Sequence, residues 1–500
     1  MTDLSSQLVF PGFRIGRDDP REAEGLVEMG VGGFCVYYGK AAQVAALTRR
    51  LQRKARVPLL FCADYEDGIA SHVEGGTAFP SNMALGASGR EDLAFLKGRL
   101  TALEARALGV RWVFAPVLDL GGRADNPIIS IRSFGADPDL VSRMGAAAMR
   151  GLREGGALSC AKHFPGHGET RLDSHLAFPR LEAGRGALLG REMAPFAATA
   201  RLADSVMLAH LHVPAVGDEP GLPSSLSRRV VGGLLRRRLG YRGVVATDAL
   251  DMRSVSRGFD EAEAARLALL AGADVLLVPE DPALLCASLA RMSAGDAELR
   301  RKVRSALERV RRFKTTGAGS GTARRPRRGL GVLGCARHRK AAREMAEASL
   351  TWVRPPRGRL PSRVRYSEIG GKGRAFVEEL SKHGVSVLPW RKGAKEAAVV
   401  ASFLGPRAYS GRARYEPKLA RRARAFLAGK GTLVSFGSPF IFDQLRVWES
   451  GLCAFSPCEA SQRAAARALA GMLTVTGRMP VPLACMSRGP SLAPSRRRYG

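Results

Sequence analysis

The chain has 500 residues, too many for one ordinary domain, and its 45% hydrophobic content suits a globular protein with a large core. No run of about 18 apolar residues occurs, which excludes a membrane-spanning helix. The formal charge of +32 is spread as arginines along the whole chain, and aromatics make up only 6% of it, so the expectation is a solvated basic surface and no nucleic-acid partner.

In chain order, residues 1–7 lack a basic stretch followed by a long apolar one, so no secretory leader is expected. Short apolar runs then alternate with amphipathic stretches up to about residue 315. Strands are predicted at 8–10, 32–37, 58–63, 112–117, 157–162, 205–209, 243–247 and 274–278, with helices at 43–55, 91–108 and 261–271 among those between them. Eight strands alternating with helices give an α/β fold, a (β/α)8 TIM-like barrel over 1–315, with a doubly wound sheet as the alternative. A Gly-rich, basic linker follows at 316–329. A smaller α/β sandwich domain is predicted over 330–486, with strands at 398–403 and 431–437 and a helix at 459–473. The tail, 487–500, carries Pro, Ser and three consecutive arginines and is expected to be disordered. Eight cysteines without metal or disulfide spacing read as reduced thiols, which points to the cytoplasm.

The densest chemistry lies in Lys162-His163-Phe164-Pro165-Gly166-His167-Gly168 and Asp173-Ser174-His175. Pro and Gly forbid a helix there, and the segment follows a predicted strand, where parallel α/β folds place their active sites. Asp64, His210 and Asp248 also fall at strand ends, so a barrel would bring them to one mouth. Convergent carboxylates, a lysine and histidines suit glycosyl transfer: one carboxylate attacks the sugar carbon while a second group protonates the leaving oxygen. Asp173 and His175 make a suitable acid, because an aspartate orients the imidazole and raises its basicity. Other roles remain open: Asp248 as a helix cap, His175 as a loop-closing residue, and His163, His167 and His175 as metal ligands. The last lack standard zinc spacing, and no metal or cofactor is expected. His167 and His210 read as structural hydrogen-bonders, Glu66 and Asp251 as loop-ordering groups.

These segments resemble the β-N-acetylhexosaminidase branch of glycoside hydrolase family 3. Beside the histidine loop, Asp64-Tyr65-Glu66, Asn126-Pro127-Ile128-Ile129 through Arg132-Ser133-Phe134-Gly135, and Thr247-Asp248-Ala249-Leu250-Asp251-Met252 are similar to family motifs, in order, across residues 8 to 310. The resemblance implies Asp248 as nucleophile, His175 as acid/base and Asp173 as the residue orienting it. It implies Asp64, Arg132, Lys162 and His163 as ligands of the terminal sugar. His72 stands where the family usually has a sugar-binding arginine, so a bidentate donor is missing. The implied activity is that of a retaining, exo-acting β-N-acetylhexosaminidase that cleaves terminal β-linked N-acetylglucosamine from oligosaccharides, as in peptidoglycan recycling or chitin breakdown. Phosphorolysis of the same bond, or a sugar-binding protein that has lost catalysis, are the alternatives. The oligomeric state is left open.

Overall fold

A computed structural model describes residues 4–174, 178–316, 329–389, 397–406, 413–427 and 431–487. Residues 317–328 of the expected linker and 488–500 of the expected tail lie outside the described residues. All eight strands predicted before residue 315 are present, and one more appears. They are β1 (Val9–Phe10), β2 (Gly12–Arg14), β3 (Gly33–Tyr37), β4 (Leu60–Ala63), β5 (Val110–Val113), β6 (Cys160–Phe164), β7 (Ser205–Leu208), β8 (Val244–Ala249) and β9 (Val275–Leu277). Most are apolar and buried along their length, as parallel strands covered on both faces must be. The crossover helices show why they form. In Pro138–Glu154, Asp137 caps the first turn by accepting the Asp139 N–H, Pro138 sits at the first position, and Val141, Met144 and Leu152 lie on the buried stripe.

The strands pair in two all-parallel sheets, β2-β3-β4-β5 and β1-β9-β8-β7-β6, rather than in the single closed ladder expected of a barrel. Both seams contain a proline, which has no N–H to give to a ladder. Pro11 separates β1 from β2, and the Gly32 and Cys35 N–H groups donate to Val9 O and Pro11 O on either side of the break. Pro116 follows β5, and β5 and β6 share no paired ladder but are joined by isolated bridges, at Trp112 with Leu158 and Val117 with Lys162, and by backbone hydrogen bonds such as Cys160 N to Ala115 O and Lys162 N to Pro116 O.

The second domain holds a six-stranded sheet. Its strands are β10 (Thr351–Arg354), β11 (Arg363–Ile369), β12 (Ser386–Pro389), β13 (Ala398–Ser402), β14 (Thr432–Ser435) and β15 (Ser450–Cys453), in the order β10-β15-β14-β13-β11-β12, with only β10 antiparallel. Helices Ala336–Ser349, Arg374–Lys382 and Glu459–Leu469 bury Ala346, Phe376 and Ala465 in one apolar cluster with the sheet. The opposite cluster contains Leu433 and Ile441 and extends to Met83 and Ile131 of the first domain, so the two domains share a core. Glu104 ties them further. Its buried carboxylate accepts from Thr77 N and Oγ1, from Gly334 N, and lies 2.6 Å from His338 Nδ1.

Candidate active site

A cavity of about 500 Å³ opens at the C-terminal ends of the parallel strands, lined by Asp64, His72, Arg132, Lys162, His163 and Asp248 among others. Six of the eight residues singled out from the sequence therefore meet in one place. Lys162 and His163 belong to β6 itself, Asp64 directly follows β4, and Asp248 is the next-to-last residue of β8.

One continuous charge network runs through them. Lys162, only 1% exposed, places Nζ 2.6 Å from Asp64 Oδ1 and 2.6 Å from Glu66 Oε1. Arg132 grips the same Glu66 as a fork, Nε to Oε2 at 2.9 Å and Nη2 to Oε1 at 2.7 Å. Arg132 Nη2 also lies 3.5 Å from His163 Nε2, and His163 Nδ1 lies 2.6 Å from Asp119 Oδ2. Burial alone would favour a neutral Glu66, yet Arg132 and Lys162 together hold its carboxyl well below the usual range. Burial likewise opposes charge on Lys162, and Asp64 and Glu66 overcome it, so its pKa is raised. The network thus keeps its charges in a site partly screened from water, with directional donors already aimed.

The histidine loop is held by two side chains. Asp119, fully buried, accepts the backbone N–H groups of His163 and His167 as well as facing the His163 ring. Burial disfavours its charge, but His163 and His167 lower its pKa. Asn126 accepts from Ile128 N and Ile129 N and donates to His167 O and Gly168 O, so it staples one loop to another. His167 Nδ1 lies 2.6 Å from Thr170 Oγ1, and burial lowers the His167 pKa to about 4; the ring also lines the cavity, its buried Nε2 without a hydrogen-bond partner. Glycine is required at 168, where a Cβ would come within 2.6 Å of Leu120 O and 2.9 Å of Glu192 Oε2. Asp173 is buried at the far end of this loop and Ser174 lines the cavity. His175 lies outside the described residues.

Asp248 Oδ1 accepts the Ala249 N–H at 2.8 Å. It does not cap a helix: the next one begins at Arg253, with Met252 in the cap position. His210 props this strand end. Its Nε2 lies 3.1 Å from the Ala249 carbonyl, which can only accept, so Nε2 donates there, and Nδ1 lies 2.7 Å from Ser225 Oγ. Among the described residues no group of three or more His, Cys, Asp or Glu is placed to hold a metal ion.

His72 sits against Tyr38, with ring centroids 5.2 Å apart, and its buried Nδ1 has no hydrogen-bond partner. Burial lowers its pKa, so the ring faces the cavity uncharged. Restoring a fork of donors there should help: His72→Arg is expected to raise kcat/KM on an aryl N-acetylglucosaminide about tenfold, since one charge-assisted hydrogen bond is worth roughly 1.5–3 kcal/mol. Loss of activity on the best substrate would instead mean that His72 reads a different sugar.

Two of the buried carboxylates absent from the residues singled out in the sequence lie beside the histidine loop. Asp119 lies two residues beyond the 112–117 run, so the strand-end logic that finds Asp64 would have found it. Glu192 gives no such signal. It is 1% exposed, neither oxygen has a hydrogen-bond partner, and it lies under Gly166 and Gly168. Burial, reinforced by Glu169 and Asp119 against the nearby Arg191, raises its pKa to about 7. An unfolded glutamate releases its proton near 4.5. Between these values the folded state binds the extra proton, so Glu192 makes stability fall as pH rises through this window. Glu192→Gln should remove that slope and stabilise the protein above pH 7 by up to about 3 kcal/mol. Urea unfolding at about pH 5 and about pH 8 measures it, and an unchanged difference between the two would refute the assignment.

The family profile described as glycosyl hydrolase family 3 N terminal domain matches residues 4–313. Beta-hexosaminidase A of Pseudoalteromonas piscicida is 32% identical over 284 residues, which are 52% of this chain and 48% of that protein, so the match spans about half of that relative. The Beta-N-acetylglucosaminidase/beta-glucosidase of Cellulomonas fimi is 32% identical over 389 residues, 74% of this chain and 66% of that one. A solved glycoside hydrolase family 3 beta-N-acetylglucosaminidase from Paenibacillus sp. str. FPU-7 superposes with a TM-score of 0.84 at 31% identity, covering 96% of this chain and 98% of that one.

Proposed function

We infer the reaction from one premise: the chain belongs to glycosyl hydrolase family 3. On this reading it is a retaining, exo-acting β-N-acetylhexosaminidase that removes terminal β-linked N-acetylglucosamine from cell-wall or chitin-derived fragments, with residues 1–315 as a catalytic domain of the (β/α)8 class. The observation that carries it is the pairing, in one cavity, of Asp248 with the network Asp64–Lys162–Glu66–Arg132–His163. A terminal sugar held by its hydroxyls against the outward-facing atoms of that network presents its anomeric carbon to Asp248. The carboxylate attacks, the C–O bond to the leaving group breaks, and the departing oxygen takes a proton from His175, which Asp173 orients. Water, deprotonated by the same histidine, then releases the sugar and frees Asp248. No cofactor enters either step. The eight cysteines are all free thiols, which supports placement in a reducing cytoplasm; among the described residues no helix is long and apolar enough to cross a membrane.

Turnover of aryl N-acetylglucosaminides tests the reading. Release of free N-acetylglucosamine, unchanged by added phosphate, is expected; release of the sugar 1-phosphate would make the enzyme a phosphorylase, and no turnover across a panel of aryl glycosides would leave only a sugar-binding protein. The same panel tests the dyad. His175→Ala should slow substrates with poor leaving groups far more than those with good ones, because only the former need protonation to depart. Equal losses across leaving groups would remove His175 from the role of acid.

A further inference from the structure

At the opposite end of β4 and β5 from the sugar cavity lies a second one, of about 770 Å³. It sits between the C-terminal halves of the helices Ala41–Lys54 and Glu91–Ala107, against the residues that lead into the two strands. Its floor is apolar, with Leu59 and Phe61 buried. Its rim carries Arg49 and Arg53 from the first helix, Arg106 from the second and Arg111 from β5, and no aspartate or glutamate lines it.

Arg50, on the neighbouring face of the same helix, pairs with Glu24. Among the described residues none of the four rim arginines has a carboxylate partner within salt-bridge distance. Arg106 and Arg111 are half-buried and reach only backbone carbonyls, Gly155 O at 3.3 Å and Thr316 O at 3.1 Å. Two guanidiniums brought this close without a counter-charge repel each other, and burial together with Arg106 lowers the Arg111 pKa. An anion would relieve both effects, and a guanidinium presents a planar fork suited to phosphate oxygens. The cavity's size is that of sites for drug-sized ligands, and its apolar floor favours a body over a bare ion.

We propose that this cavity is a binding site for a small organic phosphate, an anionic head held by Arg106 and Arg111 with Arg49 and Arg53 at the mouth, and a flat apolar body resting on Leu59 and Phe61. The site is separate from the sugar cavity and does not depend on the reaction assigned to it.

The probe is 1-naphthyl phosphate, titrated calorimetrically into the full-length protein at low ionic strength, with inorganic phosphate and 1-naphthol as the separate halves. One-to-one binding is expected, at least tenfold tighter than either half, weakened by added salt and unaffected by N-acetylglucosamine. Arg106→Gln with Arg111→Gln should weaken it at least tenfold. Arg49→Gln with Arg53→Gln, on the exposed helix face where folding is not at stake, should weaken it severalfold. Absence of saturable binding, displacement by N-acetylglucosamine, or equal binding by wild type and the Arg49/Arg53 variant would each overturn the proposal.

Discussion

Asp248→Ala is expected to abolish turnover, lowering kcat by at least about 10⁴-fold, the scale on which removal of a nucleophile acts. The fold should survive. Asp248 sits at the open end of β8, and the bond its side chain makes to the Ala249 N–H is local, while His210 holds the Ala249 carbonyl independently. Circular dichroism and the melting temperature should therefore stay near wild type while aryl N-acetylglucosaminide hydrolysis disappears. A 2-fluoro sugar that forms the covalent intermediate but resists its hydrolysis should label a peptide containing Asp248 in the wild type and nothing in the variant. A folded Asp248→Ala protein with near wild-type rates would remove Asp248 from the mechanism.

Lys162→Met tests the network rather than the nucleophile, and its expected effect is large on two readouts. The lysine is buried and is shared by Asp64 and Glu66, so a methionine of similar length fills the space but leaves two carboxylates short of their cation. Breaking a buried pair by removing one partner typically destabilises by about 3–5 kcal/mol. Without the lysine, Glu66 keeps Arg132 but loses one of the two cations that depress its pKa. Part of the stability that this depression contributes above the unfolded value of 4.5 is then missing, so the loss should grow as pH rises through that value and level off above it. Denaturant unfolding on both sides of that value measures it. Turnover should fall together with stability, because a terminal sugar loses a fixed donor. Lys162→Met with Glu66→Gln should recover part of the stability and none of the activity. A loss under about 1 kcal/mol, flat with pH, would show that the pairing is not what holds this site together.

Much of the first domain was legible because burial on both faces leaves parallel strands no choice of composition. The run 58–63 is apolar end to end and 205–209 is apolar after its first serine, and the polar residue that ends such a run is conspicuous; this is how Asp64 and His210 stand out. The closed ladder failed for a reason also written in the sequence. Pro11 and Pro116 sit inside the regions that a barrel would have to pair, and periodicity ignores a missing N–H. The second domain was harder. Its strands 363–369 and 386–389 lie toward one edge of the sheet, half-exposed, and Arg363-Val364-Arg365-Tyr366-Ser367-Glu368-Ile369 carries charge on positions that a buried strand would not tolerate. Glu192 was invisible because a buried carboxylate on a helix reads as surface, and only the approach of Gly166 and Gly168 in space reveals what lies above it.

The carboxylate of Glu104 gives the second domain a mechanical part in the first. Thr77, one of its partners, belongs to the stretch between β4 and the helix Asn82–Ser88 that also carries Asp64, Glu66 and His72, and the other partners, Gly334 and His338, come from beyond residue 329. The same oxygen, Oε1, receives Thr77 Oγ1, Gly334 N and the His338 ring. A chain cut before residue 329 would lose Gly334 and His338 and leave that oxygen, of these three partners, with the threonine alone. The stretch that shapes one wall of the sugar cavity is therefore anchored from outside the catalytic sheet, as a bridge deck is hung from a tower standing off its own span.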